Sequence, residues 1–472
     1  MTSEAKPFRH DFDPTILRAY DIRGIVGKTL TTADAYALGL GLGALSDLHG
    51  EKRAVTGHDG RHTSPALDAA LVRGLLLSGF DVSRMGCCAT PELYHACHAH
   101  AFPVAVMVTG SHNPPDYNGF KILVSGRPFS GAALGRLASQ LSSGVMPENC
   151  PGGERRLATW DAYVEALSGG YRPGGRALRI VWDNSHSSAG PALSKLIARL
   201  PGTHSVINGT IDGSFPSHHP DPSIPANMRQ LQDEVRRVGA DIGLAFDGDA
   251  DRLGVVDENG AIVPADRLGL FLATGVRAEK PGCVILGDVK TSRVFFDFLR
   301  EGGPVLMCPS GHSEVKQAIA RERASFASEM SGHFFFADRW PGFDDGLYAA
   351  VRVLDLLSRQ SCPLSQCLAR FPVWASTEEI RLDCPESRKH GVVREVESML
   401  GSGTAGITRI DGLRVQEEEG WWLLRASNTQ PALSLRVEAV SVAAGRRLYA
   451  YLTDLLRACG LALPAQDPFE GA

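Results

Sequence analysis

Along much of the chain one theme recurs. A short, near-continuous apolar run ends in a polar turn, and a stretch with helical spacing of apolar residues follows. Residues 103–108 read Pro-Val-Ala-Val-Met-Val, residues 178–182 read Leu-Arg-Ile-Val-Trp, and residues 283–286 read Cys-Val-Ile-Leu. Runs of this kind suit a sheet covered on both faces. Three segments look like copies of one unit. Residues 54–65 carry Asp59 and then Thr63-Ser64. Residues 180–191 carry Asp183 and then Ser187-Ser188. Residues 285–293 carry Asp288 and then Thr291-Ser292. An aspartate after a strand, followed by a hydroxyl N-cap, is a strand-turn-helix unit. The repetition predicts three related α/β domains. The tail differs: residues 433–438, Leu-Ser-Leu-Arg-Val-Glu, alternate as in a half-buried antiparallel strand. A smaller α+β domain is expected there. Breaks are expected near residues 151–153, 258–260 and 371–372.

The 472 residues fit about three domains, with two to four compatible. Apolar residues make up 43% and charged residues 21%, as in an ordinary folded protein, which excludes wholesale disorder. Forty-eight basic and 53 acidic side chains give a net charge of -5, which excludes a strongly basic nucleic-acid coat. No apolar run reaches the ~18 residues of a membrane span. Residues 1–15 are polar and do not read as a secretory leader. The ten cysteines form no regular framework, so reduced thiols in a cytoplasmic protein are expected. The cluster Cys87, Cys88, His95, Cys97, His98 and His100 fits no clean zinc spacing. Thr90-Pro91-Glu92 looks like a helix start that would spread these side chains over several faces.

The sharpest chemical signal is Asp247-Gly248-Asp249-Ala250-Asp251-Arg252. Three carboxylates within five residues repel unless a cation holds them. Small spacers let the backbone turn so that all three face one hard divalent ion. The rival reading is an EF-hand loop, with Glu258 at position 12. Position 6 is Arg252, where that loop needs glycine, so Mg²⁺ at an active site is preferred. The bland alternative is a solvated acidic turn. Thr109-Gly110-Ser111-His112-Asn113-Pro114-Pro115 follows the buried run 103–108 and presents a serine on a loop. The glycines of a hydrolase nucleophile elbow are absent. Neighbouring side chains rarely aim at each other, so His112 reads as a phosphate contact or a loop-orienting group. Arg425-Ala426-Ser427-Asn428-Thr429 offers a guanidinium, hydroxyls, an amide and backbone donors, a nest for phosphate, with Arg436 adding charge. The same residues are also ordinary turn chemistry. Ser310-Gly311-His312-Ser313 and Glu329-Met330-Ser331-Gly332-His333 are dense in polar groups that suit sugar hydroxyls or, alternatively, helix caps. A nucleotide phosphate loop is missing, and Gly39, Gly41 and Gly43 lie in a helical pattern without dinucleotide spacing. Phosphoryl chemistry without a nucleotide points to a phosphosugar.

These residues resemble the α-D-phosphohexomutases, most closely the bacterial phosphomannomutase/phosphoglucomutase branch. The matches are Arg18-Ala19-Tyr20-Asp21-Ile22-Arg23-Gly24, residues 109–121, residues 247–252, residues 329–333 and residues 425–438, in the family's order. The resemblance implies four domains around a central cleft: residues 1–156 with the phosphoserine loop, 157–259 with the metal loop, 260–372 with the sugar loop and 373–472 with the phosphate loop. It implies that Ser111 carries a phosphoryl group and that Mg²⁺ sits on Asp247, Asp249, Asp251 and that group. The implied reaction moves phosphate between the 1 and 6 positions of mannose or glucose phosphate, through a hexose 1,6-bisphosphate that also serves as activator. Glu329 and Ser331 would hold the sugar. Arg425, Ser427, Asn428 and Thr429 would hold the phosphate not in transfer. Tyr20, Arg23, Lys290 and His312 would line the cleft. Lys121 and Arg252 would add positive field, and His333 or Lys121 would move the proton. The expected partner is a phosphohexose, with no nucleic acid and no membrane, in a monomer or homodimer.

The chain departs from the family pattern at Ala250 and Ser328, where glycine is usual, and at His58, where arginine is usual. Neither a reacting group nor a ligand is lost. Phosphoglucosamine mutase is the second enzymatic reading, but that branch usually has glutamine where Met330 stands. A degenerate phosphosugar-binding protein and a plain phosphatase are further alternatives.

Overall fold

The computed structural model describes residues 6–45, 48, 50–148, 150–400, 406–428, 431–463 and 466–469. Three of its four sheets share one strand order. In the first, strand Arg53–His58 runs parallel to Asp81–Cys87 on one side and Val104–Val108 on the other. Val104–Val108 then pairs antiparallel with Tyr117–Val124. In the second, Arg179–Asp183 lies between Thr203–Ile207 and Ile242–Phe246, both parallel, and Ile242–Phe246 pairs antiparallel with Leu253–Asp257. In the third, Ile285–Asp288 lies between Val305–Cys308 and Phe326–Ser328, and Phe326–Ser328 pairs antiparallel with Phe334–Phe336. Asp59, Asp183 and Asp288 stand at the end of the central strand in all three, so the repeated aspartates mark equivalent positions.

This topology places the chemistry. In each sheet the last parallel strand turns back into an antiparallel one, and that turn is a candidate loop. The turns are residues 109–116, 247–252 and 329–333. Strands Val104–Val108 and Ile242–Phe246 are buried along their whole length, which anchors the loop bases. One continuous apolar core joins the three sheets, running from Val55 and Leu93 through Trp182 and Phe246 to Phe326 and Tyr348. The loops are therefore carried on a single packed body.

The C-terminal sheet is wholly antiparallel and six-stranded, with Gly420–Ala426 and Ala432–Ala439 at its centre and helix Val442–Ala458 against it. It docks on the third unit through Arg414. The Arg414 guanidinium lies 3.6 Å over the Trp421 ring and donates to the carbonyls of Val289 and Thr291, both at 2.7 Å.

Thr90–Ala99 is a helix, and none of the described carboxylate, histidine and cysteine groups that converge includes the Cys87–His100 cluster. Thr32–Gly43 is a helix whose glycines serve packing. A Cβ on Gly39 would lie 2.4 Å from the Leu71 carbonyl, so glycine lets this helix cross Ser64–Leu77 at close range. Glu258-Asn259-Gly260 is a hairpin turn within the second sheet, and strand Ile262–Val263 still pairs there. Thr429 lies outside the described residues.

Candidate active site

Ser111 sits at the tip of the first loop with φ +48°, in the left-handed region that costs a non-glycine residue on the order of 1 kcal/mol. A buried frame holds it there. Arg61, wholly buried, donates to the carbonyls of Ser111 at 2.8 Å, Asn113 at 2.6 Å and Tyr117 at 3.1 Å. Asp59 accepts from Thr109 Oγ1 at 2.8 Å, from Gly110 N–H at 3.0 Å and from Arg61. Arg23 donates to Asn113 Oδ1 and the Gly110 carbonyl and pairs with Asp21. Six contacts on one short loop, with a seventh at Tyr117 where the next strand starts, outweigh its strain, since each buried hydrogen bond contributes about 1 kcal/mol.

The Ser111 hydroxyl points at the second loop, donating to Asp247 Oδ2 at 2.8 Å. Gly248 makes this approach feasible, because a Cβ there would lie 2.4 Å from the Ser111 carbonyl. Asp247, Asp249 and Asp251 are fully buried and each offers an oxygen within 4.8 Å of the others. Lys121 Nζ lies 2.7 Å from Asp249 Oδ2 and 2.5 Å from Asp251 Oδ2. Lys121, Arg252 and His333 together face five carboxylates, the three of this triad with Asp221 and Glu329, so negative charge is left in excess. Burial, with Asp249 and Asp251 alongside, pushes the Asp247 carboxyl well above its ordinary range. Burial also acts on Asp251, but Lys121 and His333 outweigh it and hold that carboxyl well below its usual range. Asp249 Oδ1, buried, has no hydrogen-bond partner among the described residues. A hard oxygen donor set short of positive charge, with an orphaned buried oxygen, fits a divalent cation such as Mg²⁺.

Arg252 lies between Asp221 and Asp247, at 3.7 and 3.9 Å. His112 turns from Ser111 to Asp221, with Nδ1 3.0 Å from Oδ2. Burial and the Arg252 charge lower the imidazole pKa to about 4, against the pull of Asp221. His112 is thus a neutral orienting group in this arrangement.

The third loop pairs directly with the metal loop: Leu253 N–H donates to the Gly332 carbonyl at 2.9 Å. His333 Nε2 lies 3.3 Å from Asp251 Oδ1, and its Nδ1 lies 2.8 Å from Ser331 Oγ and 3.2 Å from Glu329 Oε2. Burial lowers the His333 pKa, but Asp251 and Glu329 outweigh it and raise it to about 9. Glu329 Oε1 accepts from Gly311 N–H at 2.6 Å, which fixes it beside His312.

Tyr20 connects three units. Its hydroxyl donates to the Ser310 carbonyl at 2.6 Å and accepts from Asn428 Nδ2, and its ring meets His312 edge-on. Arg425 pairs with Asp411 at 2.9 Å, and Ser427 N–H donates to the Ala432 carbonyl. Lys290 faces Glu379 at 3.5 Å. Arg436 is buried, donates to the Lys290 carbonyl and pairs with Asp266 at 3.1 Å, so its charge is used between the third and fourth units.

Several residues of this site are not legible as motifs. Asp59 and Arg61 frame Ser111. Asp221 orients His112 and Arg252. Thr90 donates to Asp249 from the start of a helix in the first unit. Asp344, fully buried, pairs with Lys316 at 2.7 Å and faces His312. Only Asp59 carries a sequence signal, its recurrence after a central strand.

Comparison with known proteins agrees with the geometry. Family profiles described as phosphoglucomutase/phosphomannomutase, alpha/beta/alpha domains I, II and III, match residues 14–144, 161–260 and 264–373. The profile of the C-terminal domain matches residues 379–455. A phosphomannomutase/phosphoglucomutase of Pseudomonas putida is 40% identical over 445 residues, covering 94% of this chain and 96% of that one. A phosphoglucomutase of Neisseria gonorrhoeae is 41% identical over 437 residues, covering 92% and 95%. The crystal structure of a phosphoglucomutase/phosphomannomutase family protein from Burkholderia thailandensis superposes with a TM-score of 0.89 at 37% identity, covering 96% of this chain and all of that one. Four domains matched in order, on a site assembled from one loop of each, make this chain a member of the phosphoglucomutase/phosphomannomutase family.

Proposed function

We propose that the protein is a phosphohexomutase that reversibly moves a phosphoryl group between the 1 and 6 positions of glucose or mannose phosphate. The observation that carries this reading is the Ser111 hydroxyl, held at 2.8 Å from Asp247 within a buried triad of carboxylates. A hydrolase would need a base aimed at the serine, and His112 is turned away to Asp221.

In this reading Ser111 rests as its phosphate ester. Asp247, Asp249 and Asp251 would hold Mg²⁺, which when bound supplies charge neutralisation to the phosphoryl oxygens. A sugar hydroxyl attacks the phosphorus, the bond from phosphorus to Ser111 Oγ breaks, and a hexose 1,6-bisphosphate forms. After the bisphosphate reorients, Ser111 Oγ attacks its other phosphate and the isomeric monophosphate leaves. Phosphoryl transfer of this kind depends on positioning and field more than on covalent chemistry. Arg61, Asp59 and Arg23 supply the positioning by fixing the loop. Lys121 and Arg252 supply fixed positive charge. Both Lys121 and His333 carry protons at neutral pH, so they are assigned the proton transfers at the serine and the sugar hydroxyl. Glu329 and Ser331 take the sugar hydroxyls. Arg425, Ser427, Asn428 and Thr429 take the distal phosphate. Tyr20 and His312 line the space between, and Lys290 adds charge.

The test is conversion of glucose 1-phosphate and mannose 1-phosphate to their 6-phosphates with Mg²⁺ and a trace of glucose 1,6-bisphosphate. The reading predicts isomerisation of one or both sugars. Release of inorganic phosphate without isomerisation would assign a phosphatase instead.

A further inference from the structure

Two thiols away from the cleft are placed to react with each other. Cys362 lies in the turn after helix Gly346–Ser358, and Cys367 lies within the short helix Leu364–Ala369. Their sulfurs are 2.9 Å apart, closer than two thiols sit comfortably. Bond formation at about 2.05 Å asks for under about 1 Å of further approach. The surroundings hold the pair together. Pro363 stands directly between Cys362 and the helix with φ −68°, which stiffens the turn. Ser365 is tied by its backbone N–H and its hydroxyl to Glu258. Arg267 donates to the Leu368 carbonyl at 2.8 Å and the Pro372 carbonyl at 3.2 Å. Leu364, Cys367, Leu368 and Phe371 all enter the main core.

The two sulfurs differ in access. Cys367 is buried, and burial together with Cys362 pushes its thiol up to about 12. Cys362 is half-buried and meets solvent first. Attack from solvent therefore begins at Cys362, and the nearest nucleophile to resolve the product is Cys367.

We propose that Cys362 and Cys367 are a modification site, forming a reversible intramolecular disulfide when oxidised by a hydroperoxide such as hydrogen peroxide. The Cys362 sulfur attacks one peroxide oxygen, the O–O bond breaks, and Cys362 becomes a sulfenic acid with release of water. The Cys367 sulfur then attacks the Cys362 sulfur, the S–O bond breaks, and a second water leaves with the Cys367 proton. In total two thiols and one hydrogen peroxide give one disulfide and two waters. A dithiol reverses it by exchange. The bond closes a ring over residues 362–367 and staples the helix that precedes residues 370–374, the segment leading into strand Ala375–Ser376 of the fourth sheet.

The test uses the full chain carrying Cys150→Ser, because Cys150 is the exposed thiol. The protein is treated with hydrogen peroxide, blocked with iodoacetamide and digested with trypsin. Arg359 and Arg370 place both cysteines in one peptide, residues 360–370. The proposal predicts that this peptide is lighter by about 2 Da and unalkylated after oxidation, and doubly alkylated after dithiothreitol. It also predicts amide exchange in residues 364–369 slowed at least about tenfold in the oxidised form. A doubly alkylated peptide after peroxide, or oxidation of Cys362 to sulfinic acid without the 2 Da loss, overturns the site. A 2 Da loss that persists in Cys367→Ser also overturns it, and equal exchange rates in the two forms overturn the staple.

Discussion

Lys121 Nζ lies 2.7 Å from Asp249 Oδ2, joining a strand of the first sheet to the carboxylate loop of the second. It also reaches Asp251, so one buried ammonium bridges two of the three buried carboxylates. Lys121→Met removes the counter-charge that Asp249 and Asp251 share, leaving His333 at Asp251, and should destabilise the metal-free protein by about 3–5 kcal/mol. Added Mg²⁺ should narrow the gap to wild type. Urea unfolding with a chelator and with saturating Mg²⁺ measures both, and an identical loss in the two conditions would mean that Lys121 and the cation do not share a site.

The Ser111 loop gives a second prediction. Arg61 spreads its donors over the Ser111, Asn113 and Tyr117 carbonyls, a fan that lysine cannot reproduce. Arg61→Lys should lower kcat about 100-fold with KM changed far less, because it moves the nucleophile and leaves the sugar contacts in place. Steady-state kinetics with glucose 1-phosphate reads the split. A change confined to KM would assign Arg61 to substrate binding.

Ala250 stands at φ +60° and is fully buried. Ala250→Gly relieves roughly 1–2 kcal/mol of left-handed strain. It loses about 0.8 kcal/mol of buried methyl and about 0.4–1 kcal/mol through unfolded-chain freedom. The expected net change is within about 1 kcal/mol, with turnover retained. Ala250→Val adds a β-branched side chain at positive φ and should cost more than about 2 kcal/mol. Thermal and urea unfolding of the pair tests the conformation, and a Val variant as stable as wild type would contradict it.

His333 supplies one part of the pH response of the metal-free protein, beside Glu92 and Asp345, whose carboxyls burial raises to about 7 and about 8. The folded His333 pKa of about 9 lies above the ~6.5 of an unfolded chain. The folded state therefore holds more protons in that window, and stability falls as pH rises through it. The contribution is fully present below about pH 6.5 and lost by about pH 9, on the order of 1–3 kcal/mol. Urea unfolding at pH 6, 7.5 and 9 with chelator should show the decline, and His333→Asn should reduce its slope, most of all between pH 7.5 and 9.

The legible part of this protein is what is local in sequence. The three aspartates of the metal loop fall within one turn, and the serine loop and the loop from Glu329 to His333 each lie between two strands. Their chemistry needs no long-range contact to be recognised. The repeated aspartate at 59, 183 and 288 also marks the shared strand order. Residues acting across the chain escape. Arg61 is fifty positions from the serine it frames, Asp221 more than a hundred from the histidine it orients, and Thr90 far from Asp249. Arg436 is a further long-range case, since its partner Asp266 lies 170 positions away.

Intact-mass spectrometry followed by peptide mapping tests Ser111 as the phosphoryl carrier directly. After incubation with glucose 1,6-bisphosphate and Mg²⁺, wild type should carry an added mass of about 80 Da on the peptide containing Ser111, and Ser111→Ala should carry none. A wild-type protein that isomerises glucose 1-phosphate with no such adduct, or an adduct that persists in Ser111→Ala, would contradict it.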